Sequence, residues 1–269
     1  MKKTTLLTAM LTSLLLLSCN DDDLELTKKG GQPSLFEQNS TKIYFSYQDN
    51  QITQIKKKNG STIHYTYENG SLSNLSFTPP PNVADGHGSS TFIQESENKI
   101  RVESWGEPSF DIHVQEIEVN NNQVKITEIG SFQQGPDGLT KVYEGKRYTQ
   151  ITLDPATKNI LKREVFSIET SELLATYSYE YDNNPGTMSA IDWPLWLRIY
   201  FCEDNSFSYY SQYRQYFNYK NNLIKETADN KEENTEYTVN YTYTYNKSGY
   251  PITATNDKYQ EANKITIRY

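Results

Sequence analysis

The sequence predicts an all-β protein: an antiparallel meander of hairpins that forms a curled sheet or a soluble barrel, interrupted by a short apolar insertion near residues 187–198. Three observations lead there. First, tyrosine alternates with Thr or Ser in Tyr65-Thr66-Tyr67, Tyr177-Ser178-Tyr179 and Tyr241-Thr242-Tyr243-Thr244-Tyr245. Strand side chains alternate with period two, so the rings share one face and the hydroxyls the other. Second, the runs close on turn residues such as Asn69-Gly70 and Lys247-Ser248-Gly249, which supply the positive φ of a tight reversal. Third, the chain is polar, with 35% hydrophobic residues, yet carries 22 tyrosines, a mixture that suits pleated, half-buried surface better than a helical bundle or disorder.

The hairpins repeat loosely. Lys42-Ile43-Tyr44-Phe45-Ser46-Tyr47 leads through Asp49-Asn50 to Ile52 and Ile55, and Ile63-His64-Tyr65-Thr66-Tyr67 leads through Asn69-Gly70 to Leu72 and Leu75. In both copies aliphatic residues stand five and eight places after the last tyrosine. A looser copy starts at Phe217-Asn218-Tyr219, and the copy at Tyr177–Tyr181 runs through Asp182-Asn183-Asn184-Pro185-Gly186 into an insertion. Between the repeats, Ile100–Glu103, Phe110–Val119, Val124–Ile129, Lys146–Leu153 and Leu161–Ile168 alternate as strands. Pro79-Pro80-Pro81 opens a loop through about Ser90. Asp192-Trp193-Pro194-Leu195-Trp196-Leu197 does not alternate and reads as a short helix or a plug.

The N-terminus predicts an address. Met1-Lys2-Lys3 precedes an apolar run from Thr4 to Leu17, which has the length and flanks of a secretory signal peptide over residues 1–18 and is too short to span a membrane. It ends Leu16-Leu17-Ser18-Cys19, which resembles the lipobox of bacterial lipoproteins. That resemblance implies a mature chain beginning at Cys19 with diacylglycerol on its thiol. The following Asn20-Asp21-Asp22-Asp23 resembles the surface-export signal of Bacteroidota lipoproteins and implies an outer-membrane protein facing the cell exterior. Residues 19–40 then form a lipidated, acidic tether with a reach of about 25 Å as a coil, and residues 41–269 a single β domain. Lipobox, tether, Tyr-x-Tyr hairpins and the Asn184-Pro185 insertion together resemble an uncharacterised family of Bacteroidota lipoproteins with a porin-like β architecture and YD-type repeats. The resemblance implies the fold; it transfers no catalytic residues.

Charge excludes some partners. The net charge is −8, and loss of Lys2 and Lys3 with residues 1–18 takes it to −10. Such a body repels nucleic acid and anionic lipid alike, so attachment to the membrane falls to the lipid on Cys19. Once Cys19 is consumed, Cys202 has no partner for an intramolecular disulfide, and a buried structural thiol is the plainer role for it. No phosphate loop, His-Glu-x-x-His helix, paired cysteine motif or nucleophile elbow occurs. His64, His87 (beside Asp85) and His113 are scattered, and Asp182-Asn183-Asn184 lacks the spacing of a calcium loop. No cofactor or metal is expected.

Three functions follow as expectations. The first is a binding or scaffold module for a glycan or protein partner, with Trp105, Trp193 and Trp196 as contact aromatics and no enzymatic activity. The second is a surface polysaccharide hydrolase. Glu116 and Glu118 share a strand face with Cα atoms about 6.6 Å apart, a separation that suits an acid/base pair, although alternate acids are also the ordinary look of a wet strand. The third is a transmembrane barrel component, suggested by the terminal alternation Ile265-Thr266-Ile267-Arg268-Tyr269. Against it stand the polar outward residues Thr238, Asn240, Thr242 and Thr244 and the charges Lys56-Lys57-Lys58 and Lys162-Arg163-Glu164.

Overall fold

The computed structural model describes residues 31–83, 86–107, 111–136, 138–203, 220–258 and 264–269, the side chains of Cys202 and Glu203 excepted. Its strands are β1 (Leu35–Gln38), β2 (Thr41–Gln48), β3 (Gln51–Lys57), β4 (Thr62–Glu68), β5 (Ser71–Thr78), β6 (Gly88–Ser96), β7 (Lys99–Gly106), β8 (Ile112–Asn120) and β9 (Gln123–Gly135). They continue with β10 (Gly138–Glu144), β11 (Arg147–Leu153), β12 (Ile160–Ser167), β13 (Leu173–Pro185), β14 (Asn221–Asn230), β15 (Thr235–Tyr245), β16 (Pro251–Asn256) and β17 (Ile265–Arg268). One helix, α1 (Leu195–Glu203), separates β13 from β14.

Each strand pairs antiparallel with its sequence neighbour, apart from a detour at β10. β9 pairs with β11 through Tyr148↔Thr127 to Thr152↔Gln123, and β1 pairs with both β2 and β17. The ring therefore closes on itself as a barrel of sixteen strands, β1–β9 and β11–β17. Because direction alternates around the ring, the start of β1, the end of β17 and the gap between β13 and β14 all lie at one rim. The β1–β2 turn and the end of β9 lie at the other.

Tight turns take the conformations the sequence demands: Asp49 and Asn50 have φ of 51° and 68°, and Asn69 and Gly70 have 52° and 80°. The spacing of five and eight has a structural cause. Strict alternation would send those two positions to opposite faces. In β2–β3 the register passes from Ser46↔Gln54 to Tyr47↔Ile52, and in β4–β5 from Thr66↔Asn74 to Tyr67↔Leu72. One extra residue, Thr53 or Ser73, bulges out and restores both aliphatic residues to the inner face. The same slip recurs at Ile224 in β13–β14 and at Ile252 in β15–β16.

The barrel is mainly apolar within and polar without. Along β15, Val239, Tyr241 and Tyr243 are buried while Thr238, Asn240, Thr242 and Thr244 are exposed. Charged residues on outward faces pair across strands: Lys99 with Glu116 at 2.9 Å and Lys225 with Glu180 at 2.8 Å. Each fully buried Ile, Leu or Phe of the inner face contributes about 1.5–3 kcal/mol; Phe36, Ile43, Ile52, Leu75 and Ile117 are among them.

The wall does not fill the interior alone. Thr187, Met188, Ile191, Trp193, Leu197, Ile199 and Tyr200 are all buried, so the stretch from 187 through α1 is a plug. Its composition accounts for its form. Leu195-Trp196-Leu197 and Ile199-Tyr200-Phe201 are apolar on consecutive positions, which suits a helix buried on most sides. Pro194 sits at the helix start, where its lack of an N–H costs nothing, and its carbonyl accepts from Leu197 and Arg198. Trp193 stacks on Phe201 with centroids 4.7 Å apart and on Tyr65 at 5.9 Å. Phe92 meets Trp196 and Tyr200, both at 5.2 Å. The Tyr200 hydroxyl lies 3.3 Å from Ser90 Oγ, which is 2.7 Å from Ser104 Oγ, so this buried hydroxyl group is satisfied from the wall.

One element leaves the ring. β9 runs on past its pairing with β11, turns after Gly135 and returns as β10, which among the described residues pairs only with β9. The arm departs where two glycines permit close approach. A Cβ on Gly130 would stand 2.2 Å from the Tyr143 carbonyl oxygen, and one on Gly145 would stand 1.7 Å from that of Glu128.

Two boundaries move relative to the sequence reading. Residues 35–38, assigned there to the tether ending at 40, form β1 and complete the ring. The loop assigned through Ser90 is shorter, since β6 begins at Gly88. The plug governs stability: Trp193→Ala is expected to cost about 3–5 kcal/mol, as for other large aromatic truncations in a core. Chemical denaturation will show this as a lowered midpoint with an unchanged slope.

Candidate functional site

Three places gather polar side chains on this barrel. The first is the seam where the plug enters and leaves the wall. Asp182 Oδ1 accepts from the backbone N–H of Asn184 and of Asn222, both at 3.0 Å, and Oδ2 accepts from Tyr245 Oη and from Asn222 Nδ2 at 3.2 Å. Asn222 is fully buried, and its Nδ2 also reaches the Pro185 carbonyl at 3.0 Å. Burial, with the hydrogen bond and negative charge of Asp182 added, keeps the Tyr245 hydroxyl protonated well above the usual phenol range. Asp182-Asn183-Asn184 thus does not present an open set of metal ligands; the Asp182 oxygens are occupied by protein donors. The knot clamps Pro185–Gly186 against Lys220–Asn222, and Gly186 N–H donates to the Lys220 carbonyl at 2.9 Å.

The second place is inside, between β12 and β15. Registers Ile151↔Arg163, Arg163↔Tyr177, Tyr177↔Ala228 and Ala228↔Tyr237 put these side chains on the inner face. The Arg163 guanidinium lies 4.5 Å from the Tyr177 ring centroid. Glu226 accepts from Tyr237 Oη at 2.8 Å and Tyr241 Oη at 3.4 Å. This sector of the interior is polar and aromatic where the plug sector is apolar.

The third is outside, an open recess of about 600 Å³ across β13, β14 and β15. Its outward side chains form two rows, Thr176–Asp229–Glu236 and Ser178–Thr227–Thr238. Asp229 and Glu236 stand directly opposite one another, a like-charge pair that raises the local negative potential. Hydroxyls and carboxylates of this kind can donate to and accept from a polar ligand.

The residues singled out from sequence are dispersed. Trp105 is exposed on the outer face of β7. Trp193 is only 2% exposed and Trp196 half-buried against Phe92. The expectation of three contact tryptophans is therefore corrected for Trp193: its ring is core, because the plug needed a large aromatic between Tyr65 and Phe201. Glu116 and Glu118 share the outer face, but Glu116 is bound by Lys99, and Glu118 stands opposite Lys99 and Lys125. A ladder of alternating charge is what they build. His64 and His87 are exposed; Glu107 accepts from the backbone of Gly86 and His87. His113 Nδ1 lies 2.9 Å from Ser131 Oγ. Among the described residues no three His, Cys, Asp or Glu side chains converge as metal ligands. Cys19, Asp85 and the side chain of Cys202 lie outside the described residues. Sequence reasoning missed Asn222, Tyr245 and the outer recess, whose members meet only through cross-strand register.

The fold and its filled interior define a class: a closed antiparallel barrel with an internal plug. No family model matches the chain, and no curated protein matches it. Among solved structures it is similar to a porin-like protein from Bacteroides vulgatus at 11% identity, over 84% of this chain and 86% of that one, with a TM-score of 0.36. It is also similar to a porin-like protein from Bacteroides uniformis at 12% identity, over 88% and 95%, with a TM-score of 0.31. At that level of overlap, the functional reading rests on this chain's own geometry.

Two outcomes test the seam and the buried tyrosines. Asp182→Ala strands several donors and is expected to cost about 3 kcal/mol, with Asp182→Asn recovering part because Oδ1 still accepts. Burial pushes the Tyr67 hydroxyl up to about 12 from 10.0, against a weaker opposing contact with Trp193. Burial likewise raises Tyr47 and Tyr269. The unfolded state therefore loses these protons first. Stability from this source is intact below pH 10 and is lost as pH climbs through 12. The urea midpoint should hold level from pH 7 to 9 and fall by pH 11; a level midpoint at pH 11 contradicts the account.

Proposed function

We propose that this protein is a lipid-anchored, cell-surface binding or scaffold module of the outer membrane, carried on Cys19, and that it contacts a glycan or protein partner through its outer wall without catalysing a reaction. The single observation that carries the reading is the direction of polarity: a plugged interior that is apolar outside one polar-aromatic sector between β12 and β15, and an outer face that is charged and hydroxyl-rich. A barrel that conducts solutes needs the reverse, a lipid-facing apolar band around a polar lumen. In this reading attachment falls to the acyl chains, two or more of which hold a protein on a bilayer durably. The signal peptide, lipobox and acidic tether support the same address, as does the likeness to Bacteroidota lipoproteins with YD-type repeats.

For contact with a partner, Trp105 and the recess between Thr176 and Thr238 are the outward features with suitable chemistry. Hydrolysis by Glu116 and Glu118 finds little support, since neighbouring lysines engage or face both carboxylates.

Cys19→Ser is expected to move the protein from the envelope fraction to the soluble fraction. The purified protein is expected to give no conductance steps in a planar bilayer. Reproducible steps would favour the transmembrane reading, and polysaccharide cleavage abolished by Glu116→Gln would favour the hydrolase.

A further inference from the structure

The β9–β10 arm is unlike the rest of the sheet. Every ring strand is paired along both edges, whereas β10 pairs with β9 alone among the described residues. Past the Ile168 N–H bond to the Lys146 carbonyl, no strand among the described residues pairs with its outer edge. That edge also carries apolar surface, with Leu139 46% exposed and Val142 48% exposed, and Tyr143 nearly as open. An unpaired backbone edge flanked by exposed apolar side chains is a template for strand addition.

We infer that the β10 edge pairs with the β10 edge of a second copy of this chain, antiparallel, joining two barrels arm to arm. The choice of occupant rests on charge. Two edge guards are present: a bulge at Val142, where the register jumps from Lys141↔Phe132 to Tyr143↔Ser131, and the lysine at 141. Such guards turn away a generic strand. Self-pairing meets the lysine with its complement. Lys141 and Glu144 already form a 2.8 Å ion pair within the strand. In the antiparallel register that sets Lys141 against the partner's Glu144, the two-fold axis generates the same pair twice and brings Val142 against the partner's Tyr143. Opposite charges and an aliphatic–aromatic pair are favourable cross-strand neighbours, and a two-fold contact of this kind closes without propagating.

Orientation follows from topology. The arm lies at the rim opposite the start of β1, so it points away from the N-terminal tether. Antiparallel edge pairing turns one barrel end over end relative to the other and places the two N-terminal ends at opposite extremes. Resting on the lipid-anchor reading, this makes the contact one between two facing membranes.

The test separates the two claims. Sedimentation of the mature chain carrying Cys19→Ser, which needs no lipid, is expected to show a concentration-dependent dimer. Lys141→Glu or Glu144→Lys is expected to weaken association at least about tenfold, and the double charge swap to restore it to within about threefold. Both positions are exposed, so unchanged melting temperatures will show that the variants fold. A monomer at all concentrations up to about 100 μM, or a double swap as weak as the single variants, overturns the pairing. For orientation, a Cys202→Ala chain is coupled through Cys19 to maleimide lipid on neutral vesicles, so natural lipidation is not required. Clustering of the vesicles that Lys141→Glu abolishes is the expected result. Solution dimers without clustering overturn the facing-membrane arrangement alone.

Discussion

The interior volume of a sixteen-strand ring is the constraint on which the rest of the structure depends. Barrel diameter grows with strand number; eight strands enclose a space that side chains can fill, while sixteen leave a lumen. Membrane barrels keep that lumen wet and polar. Here the inner face is built mainly of Ile, Val, Leu, Phe and Tyr, with Arg163 and Glu226 in one sector, and filling it removes that apolar surface from water. The chain supplies its own filling from the gap between β13 and β14, and the aromatic contacts of Trp193, Trp196 and Tyr200 follow from that need.

Filling creates a second requirement, because the plug breaks the meander at a point where the two flanking strands must still pair. Asp182 meets it. A carboxylate with several acceptor sites can hold the outgoing backbone at Asn184, the returning backbone at Asn222 and a tyrosine from the next strand at once. The ring thus stays sealed at the insertion between β13 and β14, and Asp182, Asn184 and Asn222 are the lock of the seam.

Much of the architecture was legible in the sequence because period-two alternation is a local signal. Tyr241 to Tyr245 fixed a face, Asn69-Gly70 fixed a turn, and the run around Trp193 stood out by failing to alternate. The elements that escaped have specific reasons. β1 is four residues long and lies in a polar stretch; its partner β17 is more than two hundred residues away. β10 is exposed on both faces, so no hydrophobic pattern marks it. The spacing of five and eight after Tyr47 and Tyr67 was visible, but its cause, a bulge at Thr53 and Ser73, depends on register. The outer recess was illegible for the same reason: Thr176, Asp229 and Glu236 become neighbours only through pairing.

The joint between β1 and β17 has a consequence for how the molecule is made. Leu35 meets Arg268, Phe36 meets Ile267, and the Ser34 N–H donates to the Arg268 carbonyl. The first strand of the ring therefore waits for the last, and contacts of such long sequence separation form slowly. Until synthesis is complete, the growing sheet exposes a raw margin at each end. Loss of the final five residues would remove β17 and leave that gap permanently unsewn, with β1 and β16 each bare along one edge.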